Sequence, residues 1–309
     1  MGTPQRSHAP GRDTLLLTLI LHLAQVKEAT INRRRFITTA LGVGALAQIS
    51  ACTAGQGQPR STTAYKRPKP KSPYKFSDEF DGPAGSPPDL SKWQYDIGGG
   101  GWGNGELEFY TSSRENSFLD GNGNLVIRAT KEVHTEGGQT TTAYRSARLN
   151  TMGKFSAYHG TFEARMKLDV QPGLWPAWWA LGANFPQVGW PACGEVDMLE
   201  SFGVNQVQTS VHTPSGSQGG VLTKSSSVAV DNDWHTWRME WGAASGGFTF
   251  LKDGAEYMNV LPAQVRNWVF SSGVPLFLIL NLAVGGVVGT PPESVQFPVD
   301  LLVDYVRVW

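Results

Sequence analysis

The segment TFEARMKL, residues 161–168, alternates without a break. Phe162, Ala164, Met166 and Leu168 fall on one side, and Thr161, Glu163, Arg165 and Lys167 on the other. A period of two marks a strand with one face against a core. NLVIRAT (124–130), WHTWRMEW (234–241) and VDYVRVW (303–309) repeat the pattern. FTFLKDGAEY (248–257) reads as a hairpin, because Asp253-Gly254 supplies the positive φ angles of a tight primed turn. PLFLILNLAV (275–284) is apolar almost throughout and suits a central strand buried on both faces. No long stretch carries helical periodicity, and no tandem repeat interrupts the order. Many short strands in one block, 75–309, predict an all-β fold: a two-sheet antiparallel sandwich with a concave face for an elongated ligand. The 11 Trp and 36 Gly fit that class. With 26 Lys plus Arg against 26 Asp plus Glu, overall charge offers no reason to expect nucleic acid as a partner.

GEVDMLES (194–201) sets Glu195, Asp197 and Glu200 in an otherwise apolar stretch, where acids are costly unless something uses them. A helix would hold the two Glu about 140° apart. A regular strand would put Glu195 and Asp197 on one face and Glu200 on the other. One extra residue near Met198–Leu199, a β-bulge, reverses the parity and returns Glu200 to its companions. Val196 and one of Met198 or Leu199 then face the core. Crowded carboxyls push at least one pKa up, so the cluster can hold an anion and a protonated acid together at neutral pH. Cleavage of a glycosidic bond uses that combination. A solvated acidic edge or a hard-cation site is the competing reading.

The first 74 residues do not look like folded domain. NRRRFITTALGVGALAQISAC (32–52) has a basic cluster, Arg33 to Arg35, then Phe36 and an apolar run too short to span a bilayer comfortably. It resembles a twin-arginine export signal, and its end, Ile49-Ser50-Ala51-Cys52, resembles a bacterial lipobox. The expected organisation is therefore an extension and signal over 1–52, with Cys52 as the lipidated residue. A Pro-rich basic tether, 53–74, and a single domain, 75–309, follow. Residues 1–31, with the extra apolar patch LLLTLILHL, suggest a misassigned start. The chain is expected to be exported, touching a membrane only through signal or lipid. Cys52 and Cys193 are the two cysteines, so lipidation of Cys52 leaves Cys193 as a buried thiol with no disulfide.

WPACGEVDMLES (190–201), with GLWPAWWALG (173–182) before it, resembles the active-site strand of laminarinase-type members of glycoside hydrolase family 16. FSDEFDGPAGSPPDLSKW, GNGELEFYT, DGNGNLVIRAT, SARLNTMGKFSAYHGTFEARMKL, DWHTWRMEW, LILNLAVGG and LLVDYVRVW follow the family order across nearly all of 75–309. The resemblance implies a β-jelly roll that cleaves β-1,3-glucan internally with retention of configuration. It implies Glu195 as nucleophile, Glu200 as general acid and base, and Asp197 as modulator of Glu195, with no catalytic cofactor. It brings His212 close to the acid/base and Arg148 to the substrate, and suggests a structural Ca²⁺ held by Glu79, Asp304 and a carbonyl near Gly121. Flat aromatics suit the apolar faces of sugar rings, so Trp175, Trp179 and Trp190 are candidate platforms, while Trp178 alternates with them and is equally suited to the core. Asn104 and Glu106 are candidates for distant hydroxyls. The expected assembly is a monomer acting on a polysaccharide. Two rivals stay open: mixed-linkage β-1,3-1,4-glucan or β-1,3-galactan as substrate, and a non-catalytic glucan-binding surface lipoprotein.

Overall fold

The computed structural model describes residues 73–216 and 220–309, all within the compact unit Lys69–Trp309. The expected signal, Cys52 and all but the last two residues of the tether lie outside the described residues. In chain order the first strands are β1 (Phe76–Asp78), β2 (Gln94–Asp96), β3 (Glu108–Tyr110), β4 (Ser117–Leu119), β5 (Leu125–Glu136), β6 (Gln139–Ser146), β7 (Arg148–Asn150) and β8 (Gly160–Lys167). They continue as β9 (Leu174–Gly182), β10 (Glu195–Ser201), β11 (Gln206–Pro214), β12 (Val221–Ala229), β13 (Trp234–Trp241), β14 (Phe248–Lys252), β15 (Ala255–Val260), β16 (Leu276–Val284) and β17 (Val299–Val308). A single turn of α-helix, Phe185–Val188, lies between β9 and β10.

Two sheets result. The ten-stranded sheet runs β15-β14-β13-β8-β17-β5-β6-β3, with β1 on β17 and β4 on β5; the seven-stranded sheet runs β12-β11-β10-β9-β16-β7-β2. The expected antiparallel pairing holds with one exception among the described strands: β3 runs parallel to β6, at the sheet edge.

The alternating segments do what their period requires. Phe162, Ala164, Met166 and Leu168 turn into one core cluster that also takes Trp178, Val196, Leu199 and Leu278 from the other sheet. Each of the larger side chains among these contributes ~1.5–3 kcal/mol of burial free energy, which is what holds the sheets face to face. All nine residues of β16 are buried, as its apolar run predicts, and it lies between β9 and β7. The hairpin between β14 and β15 turns at Asp253 (φ 51°) and Gly254 (φ 82°), with Lys252 opposite Ala255.

Candidate active site

β10 carries the three acids, and its register breaks once. Asp197 lies opposite Ser210 and Glu200 opposite Gln208, so three residues of β10 span two of β11. On the other side Asp197 faces Trp179 and Leu199 faces Trp178, a break at the same place. The strand therefore bulges at Met198–Leu199, where the acid spacing requires it. Val196, Met198 and Leu199 all join the core; both residues of the bulge are buried, where the sequence suggests only one of them. The acids take the opposite face. Gly194 admits the strand: its φ is 76°, and a Cβ there would meet Val269 Cγ2 at 2.6 Å and Phe270 Cε1 at 2.7 Å.

Asp197 is 1 % exposed and Glu200 9 %. Trp175 Nε1 donates to Glu200 Oε1 at 3.0 Å, and Trp190 Nε1 donates to Glu195 Oε2. His212 pairs across from Glu195 on β11, and its Nε2 stands 2.9 Å from Asp197 Oδ2. The resemblance brings His212 close to the acid/base; the acid it pairs with in the fold is Asp197. Burial first, then the charge of Asp197, pushes Glu195 up to about 8. Burial pushes Asp197 up to about 7, against a hydrogen bond from Glu195 that lowers it. Burial and the Asp197 charge raise Glu200 well above the usual carboxylate range. The cluster thus stores protons at neutral pH.

A second polar assembly crosses the same sheet. Glu200, Ala177, Asn281, Arg148 and Asp96 form one lateral row through β10, β9, β16, β7 and β2. Arg148 donates to Asp96 at 2.9 Å, and its guanidinium lies between the Trp179 and Trp102 rings, 4.8 and 4.9 Å from their centroids. Trp179 Nε1 donates to Asn281 Oδ1 at 2.8 Å, and Asn281 Nδ2 to Tyr110 Oη at 3.1 Å. Tyr110 in turn donates to Glu106 Oε2 at 3.0 Å, and Asn104 Nδ2 donates to Glu106 Oε1 at 2.9 Å.

These contacts bear on several expectations. Glu106 is 8 % exposed and accepts from Asn104 and Tyr110, so it braces the loop. Trp178 is core, whereas Trp190 is 40 % exposed. Glu79 is held bidentately by Arg307 at 2.8 and 2.7 Å, and Asp304 accepts from Arg165 at 2.8 Å. Both carboxylates face guanidinium groups, with which a Ca²⁺ held by Glu79, Asp304 and the carbonyl near Gly121 would have to share them. Cys193 is buried and free, and burial pushes its thiol up to about 11. Sequence reading passed over Asp96, Trp102, Tyr110 and Asn281. A lone Asn inside an otherwise apolar strand was the available signal for the last.

The model of the glycosyl hydrolases family 16 matches residues 106–300. The chain belongs to this family. A beta-glucanase of Rhodothermus marinus is 38% identical over 251 residues, covering 76% of this chain and 84% of that one. A glucan endo-1,3-beta-glucosidase of Cryptopygus antarcticus is 34% identical, covering 76% of this chain and 90% of that one. The laminarinase catalytic domain of Thermotoga maritima superposes with a TM-score of 0.66 at 38% identity, over 76% of this chain and 97% of that one. In family 16 terms the two sheets are the jelly roll, and the bulged acid strand is its motif Glu-x-Asp-x-x-Glu.

Proposed function

We propose that the protein is an endo-acting β-1,3-glucanase that works by double displacement with net retention of configuration. One observation carries this reading: the bulge at Met198–Leu199, which puts Glu195, Asp197 and Glu200 on one face outside the core. Glucanase relatives matched over most of their length support the substrate class.

In the proposed first step Glu200, protonated at neutral pH by its raised pKa, gives its proton to the glycosidic oxygen. Glu195 attacks the anomeric carbon, the C–O bond breaks, and the departing glucan leaves with a free hydroxyl. Glu200, now an anion, receives the Trp175 hydrogen bond and then takes a proton from water, whose oxygen displaces Glu195. Both steps use carboxyl groups and water alone, so no cofactor enters. Glu195 must be anionic when it attacks. The proton that burial holds on the Glu195–Asp197 pair therefore has to pass to Asp197 before the attack, and Asp197 can then donate it back to Glu195 and temper its charge. Trp175, Trp179 and Trp190 offer indole faces to the sugars, and Arg148, fixed between Trp102 and Trp179, offers its remaining N–H groups to hydroxyls. We further propose export through the signal at 32–52, with lipid on Cys52 and the 53–74 tether spacing the domain from the membrane.

The test is product analysis on laminarin, lichenan and galactan, with anomeric configuration followed by NMR. Fastest release of internal β-anomeric fragments from laminarin supports the proposal. Initial α-anomers, or preference for lichenan or galactan, would overturn it.

A further inference from the structure

His212 Nε2 and Asp197 Oδ2 stand 2.9 Å apart, yet the pair does not form an aligned hydrogen bond. Asp197 is 1 % exposed, and its Oδ2 is buried with no aligned donor. A buried oxygen left this way is under-satisfied, which favours a further partner at this point. Glu195 supplies a third atom: one oxygen from each carboxylate and one imidazole nitrogen lie within 4.8 Å of one another. On its far edge His212 Nδ1 is bonded to Thr223 Oγ1 at 2.8 Å. Metal-binding imidazoles are oriented in the same way, with one nitrogen tied to the protein and the other presented to the ion.

The bent contact decides what fits. A shared proton lies near the line joining its two heavy atoms. An ion ~2.1 Å from each ligand lies off that line, and its ligands stand ~3.0–3.4 Å apart for angles between a right angle and tetrahedral. The His212–Asp197 pair comes near the second pattern, and the Glu195 oxygen, within 4.8 Å of both, has to draw in to complete it. An imidazole among the donors disfavours Ca²⁺ and Mg²⁺ and favours the borderline ions Cu²⁺ and Zn²⁺.

We propose that Glu195, Asp197 and His212 form an inhibitory site for Cu²⁺ or Zn²⁺, bound by two carboxylate oxygens and His212 Nε2. The ion occupies the electron pair that Glu195 needs for glycosyl transfer, so occupancy and turnover exclude one another. That last clause rests on the proposed catalytic role of Glu195; the binding itself does not.

Calorimetry with CuCl₂ and, separately, ZnCl₂ on the untagged full chain near neutral pH tests the site directly. The expected result is one ion per chain, with affinity falling ~100-fold in His212→Gln and ~10-fold in Thr223→Val, which removes only the orienting partner. The Cu²⁺ electron paramagnetic resonance spectrum should show coupling to a single imidazole nitrogen that disappears in His212→Gln. Inhibition of laminarin hydrolysis should follow the binding curve and reverse with EDTA. The site is overturned if wild-type chain shows no saturable binding below about 1 mM. Undiminished binding in folded His212→Gln, or a wild-type copper spectrum without nitrogen coupling, overturns it too. A chain that binds one ion through His212 and hydrolyses no glucan supports the site while removing the proposed activity.

Discussion

The outer faces of the two sheets bury acids to a similar depth and treat them in opposite ways. On the ten-stranded sheet Glu163 is 5 % exposed, accepting from Arg238 Nε at 2.7 Å and from Tyr305 Oη at 2.9 Å. Glu79 and Asp304 likewise face Arg307 and Arg165. On the seven-stranded sheet, among the described residues, Glu195, Asp197 and Glu200 have no arginine or lysine ion pair; their partners are two indole N–H groups and His212. A guanidinium opposite a carboxylate fixes it as an anion and ties strands together. Without one, burial and mutual repulsion keep protons on the cluster. The first arrangement is suited to holding a fold and the second to moving a proton.

Exchanging the two behaviours gives the predictions, largest first. Glu195→Gln should lower kcat on laminarin by ~10³-fold or more while leaving the melting temperature near or above wild type, because a buried repulsion is removed. Glu163→Ala should do the reverse. It strands Arg238 and Tyr305, so unfolding in urea should show a loss of about 2–4 kcal/mol, with kcat changed less than about 2-fold.

The pH dependence of stability separates the faces next. Glu195 is raised from 4.5 to about 8 and Asp197 from 3.8 to about 7. A carboxyl with a raised folded-state pKa binds more protons folded than unfolded between those values, so stability falls as pH rises through the window. Between pH 4.5 and 8 the wild type should therefore lose about 1–3 kcal/mol that Asp197→Asn retains. A flat wild-type profile would erase the distinction. The smallest effect expected is from Trp175→Phe, which keeps an aromatic ring and removes the donor to Glu200 Oε1. Loss of one hydrogen bond to a charged group predicts a ~10-fold fall in kcat, with an alkaline limb moved to higher pH because the Glu200 anion has lost a stabilising donor.

How much of this was legible depends on how far apart the partners lie in the chain. The half-buried strands, the Asp253-Gly254 turn and the bulge between Asp197 and Glu200 follow from local periodicity, because burial on one face leaves a period of two in the residues themselves. The network that braces the loop at residues 98–110 leaves no such trace. Arg148 sits between Trp102 and Trp179, and Asn281 links Trp179 to Tyr110, only because β7, β16 and β9 lie side by side. Glu106 illustrates the limit. Nothing in its sequence position says that Tyr110 and Asn104 will donate to it. For Glu79 and Asp304, nothing local says that arginines on β17 and β8 will face them.

The sequence by itself determined the fold class, the strand that carries the acids and the bulge that gathers them, since alternation and spacing are written residue by residue. Only the tertiary structure decided which carboxylates are neutralised and which keep their protons. That choice depends on whether a guanidinium or an indole arrives from a strand remote in sequence, and sheet order alone controls that arrival.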